Sequence, residues 1–103
     1  MKVVDSEHHC WFLFEHHGEL LLDVNCELNA FGYSFMIKLN EAERMSYEFG
    51  GHDYLSKLAR EIGDSVPITA NTTSIYKGRR VPDQISKLAT DAAKVWRENS
   101  GLS

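Results

Sequence analysis

Residues 31–39 alternate between apolar and polar positions with a period of two, and the short apolar runs before them are broken by turn residues, which predicts strands rather than helices. Cys10-Trp11-Phe12-Leu13-Phe14 is short, aromatic and apolar. Glu15-His16-His17-Gly18-Glu19 is a turn, with Gly18 supplying the positive φ of a tight hairpin. In the next run Leu20, Leu22, Val24 and Cys26 share one face, and Leu21, Asp23 and Asn25 share the other. A reversal at residues 27–30 leads into Phe31, Tyr33, Phe35, Ile37 and Leu39, which alternate with Gly32, Ser34, Met36 and Lys38. Short links between adjacent strands predict an antiparallel meander with one packed face and one partly wet face.

From residue 41 the period lengthens. Asn40 is placed to cap a helix and Glu43 stands at its third position, a capping-box spacing. Ala42, Met45, Phe49, His52, Leu55, Leu58 or Ala59, and Ile62 follow at spacings of three and four, as one side of a helix over about 41–62. Gly50-Gly51 interrupts the stripe, and the preserved phase favours one helix running through it. Residues 66–74 read as loop or short strand, and 75–81 as an edge strand or ordered loop. Pro82 suits the first turn of a second helix with Ile85, Leu88, Ala89, Ala92, Val95 and Trp96 on its face, stopped at Asn99-Ser100-Gly101. The expected fold is α+β and two-layered. A meander of three to four strands is packed on one face by two helices, in one domain spanning residues 1–103.

Composition fits such a domain, with 43% hydrophobic and 25% charged residues. The net charge of -4 argues against nucleic acid as a partner. The charge is uneven: residues 1–64 hold twelve acids and five bases, and residues 65–103 three acids and six bases. An asymmetry of this kind steers a charged partner or pins two halves of a fold together. No apolar run is long enough for a secretory or membrane segment, and Cys10 and Cys26 sit in apolar runs as free thiols would. The expected setting is the reducing cytoplasm, with no membrane partner.

Candidate chemistry is sparse. His8-His9-Cys10 and His16-His17 invite a metal, but neighbours on a strand point to opposite faces and no recognised ligand spacing is present. Cys26 reads as core, and Cys10 diverges from His9. His52, alone on the apolar stripe, reads as a hydrogen-bonded core or boundary histidine. Gly50-Gly51 belongs to no phosphate loop. Lys77-Gly78-Arg79-Arg80 beside Tyr76 is the one basic cluster, and in an acidic chain it suits a protein contact better than a nucleic acid. No catalytic residue, metal or cofactor is expected, and the chain is read as a non-enzyme.

Phe12–Phe14, Gly18, Leu22-Asp23-Val24-Asn25-Cys26, Phe31-Gly32-Tyr33-Ser34, Leu39-Asn40-Glu41, Tyr54-Leu55, Tyr76, Arg79 and Trp96 follow one another in an order that resembles small immunity proteins of bacterial contact-dependent inhibition and polymorphic toxin systems. The resemblance spans residues 11–96. It implies a cytoplasmic protein that binds a cognate toxin domain, often a nuclease, and blocks its active site. It carries over no catalytic or binding residue. From the residues themselves the expected contacts are Asp23, Asn25 and Glu27 on the outward strand face, Glu41 and Glu48 on the first helix, and Tyr76, Arg79 and Arg80 beyond it, in a monomer or weak dimer. One alternative is a non-catalytic adaptor using Leu21 and Met36 as an apolar patch on the open sheet face. The other is a small enzyme or metal protein using His8, His9, Cys10 or His52. A flat or convex surface suits the inhibitor; a polar cleft gathering His8, His52 and a cysteine would favour chemistry.

Overall fold

A computed structural model describes residues 1–28, 31–65, 67 and 73–99. Four strands precede two helices: β1 (Lys2–Glu7), β2 (Trp11–His16), β3 (Glu19–Leu28), β4 (Phe31–Lys38), α1 (Glu41–Asp64) and α2 (Asp83–Asn99). The strands form one antiparallel sheet in the order β1-β2-β3-β4, the expected α+β meander packed by two helices. The β2–β3 hairpin closes through His17 and Gly18, both at positive φ, between the pair His16 and Glu19. Two consecutive positive φ values give a type I′ turn, whose twist matches that of the strands. Residues 29–30 of the expected reversal, most of the 66–74 stretch and residues 100–101 of the expected stop after the second helix lie outside the described residues.

The layering differs from expectation. α1 covers one face, where Leu55, Leu58, Ala59 and Ile62 pack with Trp11, Leu13, Leu22, Val24, Phe35 and Ile37. α2 covers the opposite face, where Ala89 and Ala93 pack with Phe14, Leu21 and Met36. The sheet is therefore sandwiched between helices, and neither face is open. Leu21 and Met36 are buried beneath α2, which removes the apolar patch expected of them. The cause is visible in β2, where Trp11-Phe12-Leu13-Phe14 is apolar at every position. A strand buried on both sides shows a continuous run rather than alternation. Trp96 of α2 meets Phe12 edge-on, with ring centroids 5.6 Å apart.

β1 extends the sheet beyond the run expected from periodicity, and its register with β2 shifts between Val3 and Asp5. At the other edge, Arg80 forms an isolated bridge with Ile37, and the Val81 N–H donates to the Met36 carbonyl at 2.9 Å. The 75–81 segment is thus an ordered turn that covers part of the β4 edge.

α1 begins as its sequence dictates. The Asn40 side chain accepts from the Glu43 N–H at 2.8 Å, and the Glu43 carboxylate accepts from the Asn40 N–H at 2.9 Å. The helix does not run straight through the glycines. Gly51 takes φ 59° and ψ -142°, so α1 is two helical segments meeting at a break. The expected stripe loses its phase there: Leu55, Leu58, Ala59 and Ile62 are buried, whereas Met45 and Phe49 lie in solvent.

Candidate functional site

Phe49 is 90% exposed and Met45 53% exposed. With Ala42, also exposed, they occupy one side of the first segment at spacings of three and four. Glu41 and Glu48, both exposed, flank Met45 at spacings of four and three. The segment is held from its other side. Arg79 donates to both Glu43 carboxylate oxygens and to the Lys38 carbonyl, and Arg44 donates to the Gly18 carbonyl at 3.0 Å. Tyr47 and Tyr54 pack against the core. The row Ala42–Met45–Phe49 therefore faces outward from a helix tied down at its first turn, with carboxylates at its margin.

On the far side of the break a groove of about 570 Å³ runs between α1 and the ends of β2 and β3. His52, Asp53, Ser56 and Arg60 supply its helix wall, and His9, Cys10, Asn25 and Glu27 belong to the strand side. Cys26 also lines it. The expectation of surface without a pocket is corrected here, since His52 and both cysteines border one groove; His8 is not among its lining residues. The groove's chemistry is constrained, however. Both ring nitrogens of His52 are engaged, Nδ1 with Asp5 at 3.1 Å and Nε2 with Glu7. In that arrangement neither nitrogen is free to accept a proton from a nucleophile. Burial pushes the Cys26 thiol up, away from a reactive thiolate. Ser56 accepts a hydrogen bond from the Trp11 indole at 3.2 Å. Among the described residues no group of three His, Cys, Asp or Glu side chains is arranged to hold a metal ion. No helix among them is long and apolar enough to cross a membrane.

The expected contact residues do not converge on one surface. Glu41 and Glu48 lie on the outward side of α1. Asn25 and Glu27 are exposed at the groove, where the Asn25 amide donates to the His9 carbonyl at 3.1 Å. Asp23 is half-buried on the α2 side, and burial raises its carboxyl pKa against the attraction of Arg80. Arg80 is exposed at the β4 edge. Tyr76 is only 4% exposed, a core residue whose hydroxyl donates to Glu61 at 3.4 Å. Arg79 is committed to Glu43 and Lys38. Tyr76 and Arg79 thus build the fold beneath the surface instead of presenting free side chains.

Met45 and Phe49 escape sequence reading because their spacing is that of a buried stripe; the signal was Gly50-Gly51, which allows the two segments to differ in rotation. Asp5 and Glu7 escape because β1 carries few apolar residues. No family model matches the chain, and neither a curated protein nor a solved structure matches it.

Proposed function

We propose that this chain is a protein-binding inhibitor of the bacterial immunity type, a cytoplasmic protein that neutralises a cognate toxin domain by occluding its active site. The observation that carries the reading is the exposure of Phe49 and Met45 on an anchored helix bordered by Glu41 and Glu48. An aromatic side chain exposed this far on a structured helix is what a protein interface uses as an anchor. The acidic margin, within a half of the chain carrying twelve acids against five bases, selects a partner with a basic surface. A nuclease domain has one, because its cleft must hold phosphates. The protein contributes no catalytic group; it buries the partner's cleft. Glu27, at the groove beyond the break, adds a further exposed carboxylate to this half of the chain.

The test is a binding and inhibition assay with the purified toxin domain encoded beside this chain's gene. The reading expects a nanomolar complex that abolishes toxin activity, with Phe49→Ala weakening it by about 2 kcal/mol or more, roughly thirtyfold. Absence of binding, or binding indifferent to Phe49, Glu41 and Glu48 together, would overturn it.

A second reading takes the groove as a small-molecule site, favoured by its volume and by the polar side chains of His52, Asp53 and Arg60 along one wall. It predicts a ligand that shifts the groove resonances and leaves those of Met45 and Phe49 unmoved.

A further inference from the structure

His52 is the first residue after the Gly51 break, and its ring is held between two carboxylates of the edge strand. Nδ1 lies 3.1 Å from Asp5 Oδ1, and Nε2 is in hydrogen-bond contact with Glu7 Oε2. Asp5 and Glu7 are two residues apart on β1, so they share the sheet face that α1 covers. The ring also leans on Trp11, with centroids 4.9 Å apart.

Ionised carboxylates only accept hydrogen bonds. A neutral imidazole has one N–H and one lone pair, and an imidazolium has two N–H groups. Only the doubly protonated ring satisfies both contacts. Loss of one proton turns a lone pair toward a carboxylate and converts an attraction into a repulsion.

We propose that His52 is a proton-operated clasp between edge strand β1 and helix α1 at the helix break, closed as the imidazolium and open as the neutral ring.

The surroundings favour the closed form. Besides Asp5 and Glu7 on β1, the titratable and charged groups around the groove, its two cysteines aside, are His9 in the β1–β2 turn, Glu27 on β3, and Asp53, Arg60 and Asp64 on α1. Tyr47, also on α1, feels the Asp5 charge. Carboxylates outnumber cations in this set. The hydrogen bonds to Glu7 and then to Asp5 hold the ring pKa above its ordinary value, with burial opposing them. The ring is 41% exposed, so protons and solvent reach it freely.

The clasp lies next to the outward row of α1. Opening it releases the break from β1 and lets the segment bearing Met45 and Phe49 change its angle to the sheet. That consequence rests on the proposed docking role; the clasp itself does not.

The experiment is an imidazole nitrogen NMR titration of the full chain from about pH 5 to about pH 9, with backbone amide exchange corrected for its intrinsic pH dependence. Both His52 nitrogens should carry protons below the midpoint, and that midpoint should lie above the ordinary 6.5. Asp5→Asn and Glu7→Gln should each lower that midpoint. Exchange of the β1 amides paired with β2, and of the first α1 turn after Gly51, should quicken several-fold across the midpoint. His52→Gln should show the faster exchange at every pH, with no step. A midpoint at or below the ordinary value, a ring that keeps a single proton below its midpoint, or exchange without a step would overturn the clasp. The wild-type titration decides this even if a variant fails to fold. A clasp that titrates as expected while toxin-domain affinity ignores pH would overturn the docking consequence alone.

Discussion

Arg79 grips Glu43 with two prongs: Nη1 donates to Oε2 at 2.9 Å and Nη2 to Oε1 at 2.6 Å. The pair ties the turn before α2 to the first turn of α1, and Glu43 simultaneously completes the helix cap with Asn40. Its side chains are only 26% and 12% exposed, so this is a sheltered contact rather than a surface pair. Burial pushes the Glu43 carboxyl up, but the Arg79 hydrogen bonds, the Asn40 N–H and the Arg79 charge together hold it below its ordinary value.

Arg79→Ala should therefore cost about 2–3 kcal/mol in urea unfolding, because it leaves a sheltered carboxylate without its partner. Arg79→Lys should recover part of that, since an ammonium cannot reproduce the fork. A depressed carboxyl pKa stabilises the fold above the unfolded value of 4.5, and the contribution is lost as pH falls through the lower folded value. The difference between wild type and Arg79→Ala should narrow on acidification below pH 4.5. A constant difference across that window would contradict this account.

The two segments of α1 should answer truncation differently. Leu55 is fully buried, and Leu55→Ala should cost about 2–5 kcal/mol. Phe49→Ala, on the solvent side, should change stability by no more than about 0.5 kcal/mol. Thermal melts of both variants check the contrast, and equal losses would place Phe49 in the core.

Neighbouring glycines should fail for different reasons. A Cβ on Gly50 would stand 2.8 Å from the Tyr54 Cβ, so Gly50→Ala collides with the helix turn that follows. A Cβ on Gly51 meets nothing within 4 Å, yet its φ of 59° is one that side chains resist. Gly51→Ala should cost about 1–3 kcal/mol through backbone strain alone. A D-alanine at position 51, introduced by chemical synthesis, should restore stability; failure to do so would remove the strain explanation.

Asp23 should be a liability. It sits on the α2 side of the sheet, paired in register with Phe12 and Met36, and burial raises its pKa although Arg80 pulls the other way. A raised carboxyl pKa disfavours the folded state at neutral pH, and the penalty fades as pH falls through the folded value toward 3.8. Asp23→Asn should raise the urea midpoint at pH 7 and lose that advantage in strong acid. A destabilised variant at pH 7 would instead assign Asp23 a specific partner.

Much of the fold was legible. The period of two in residues 20–26 and 32–39, the Gly18 turn, the Asn40–Glu43 cap and the place of α2 along the chain all follow from local chemistry, and the structure has them. The layering was not, because alternation in β3 and β4 suggested one wet face; Phe12, Phe14, Leu21 and Met36 form the second core only with α2 beneath them. β1 was hidden because Lys2–Glu7 holds just two apolar residues, and its pairing with β2 supplies what its composition does not. Of the candidate surface, Glu41 and Glu48 were readable as solvated acids. Phe49 was not, since helical spacing records which residues share a side but not whether that side meets the core once a Gly51 break intervenes. Tyr76 and Arg79 look like interface anchors in sequence for the same chemical reasons that make them good internal braces.

The break at Gly51 separates two duties along a single helix. Positions 55, 58, 59 and 62 answer to the sheet, while 42, 45 and 49 are turned outward from the described residues. On the proposed inhibitor reading, a lineage could rewrite the latter three to follow a changing adversary and leave its folding intact, so that recognition would diversify here without a toll on the scaffold.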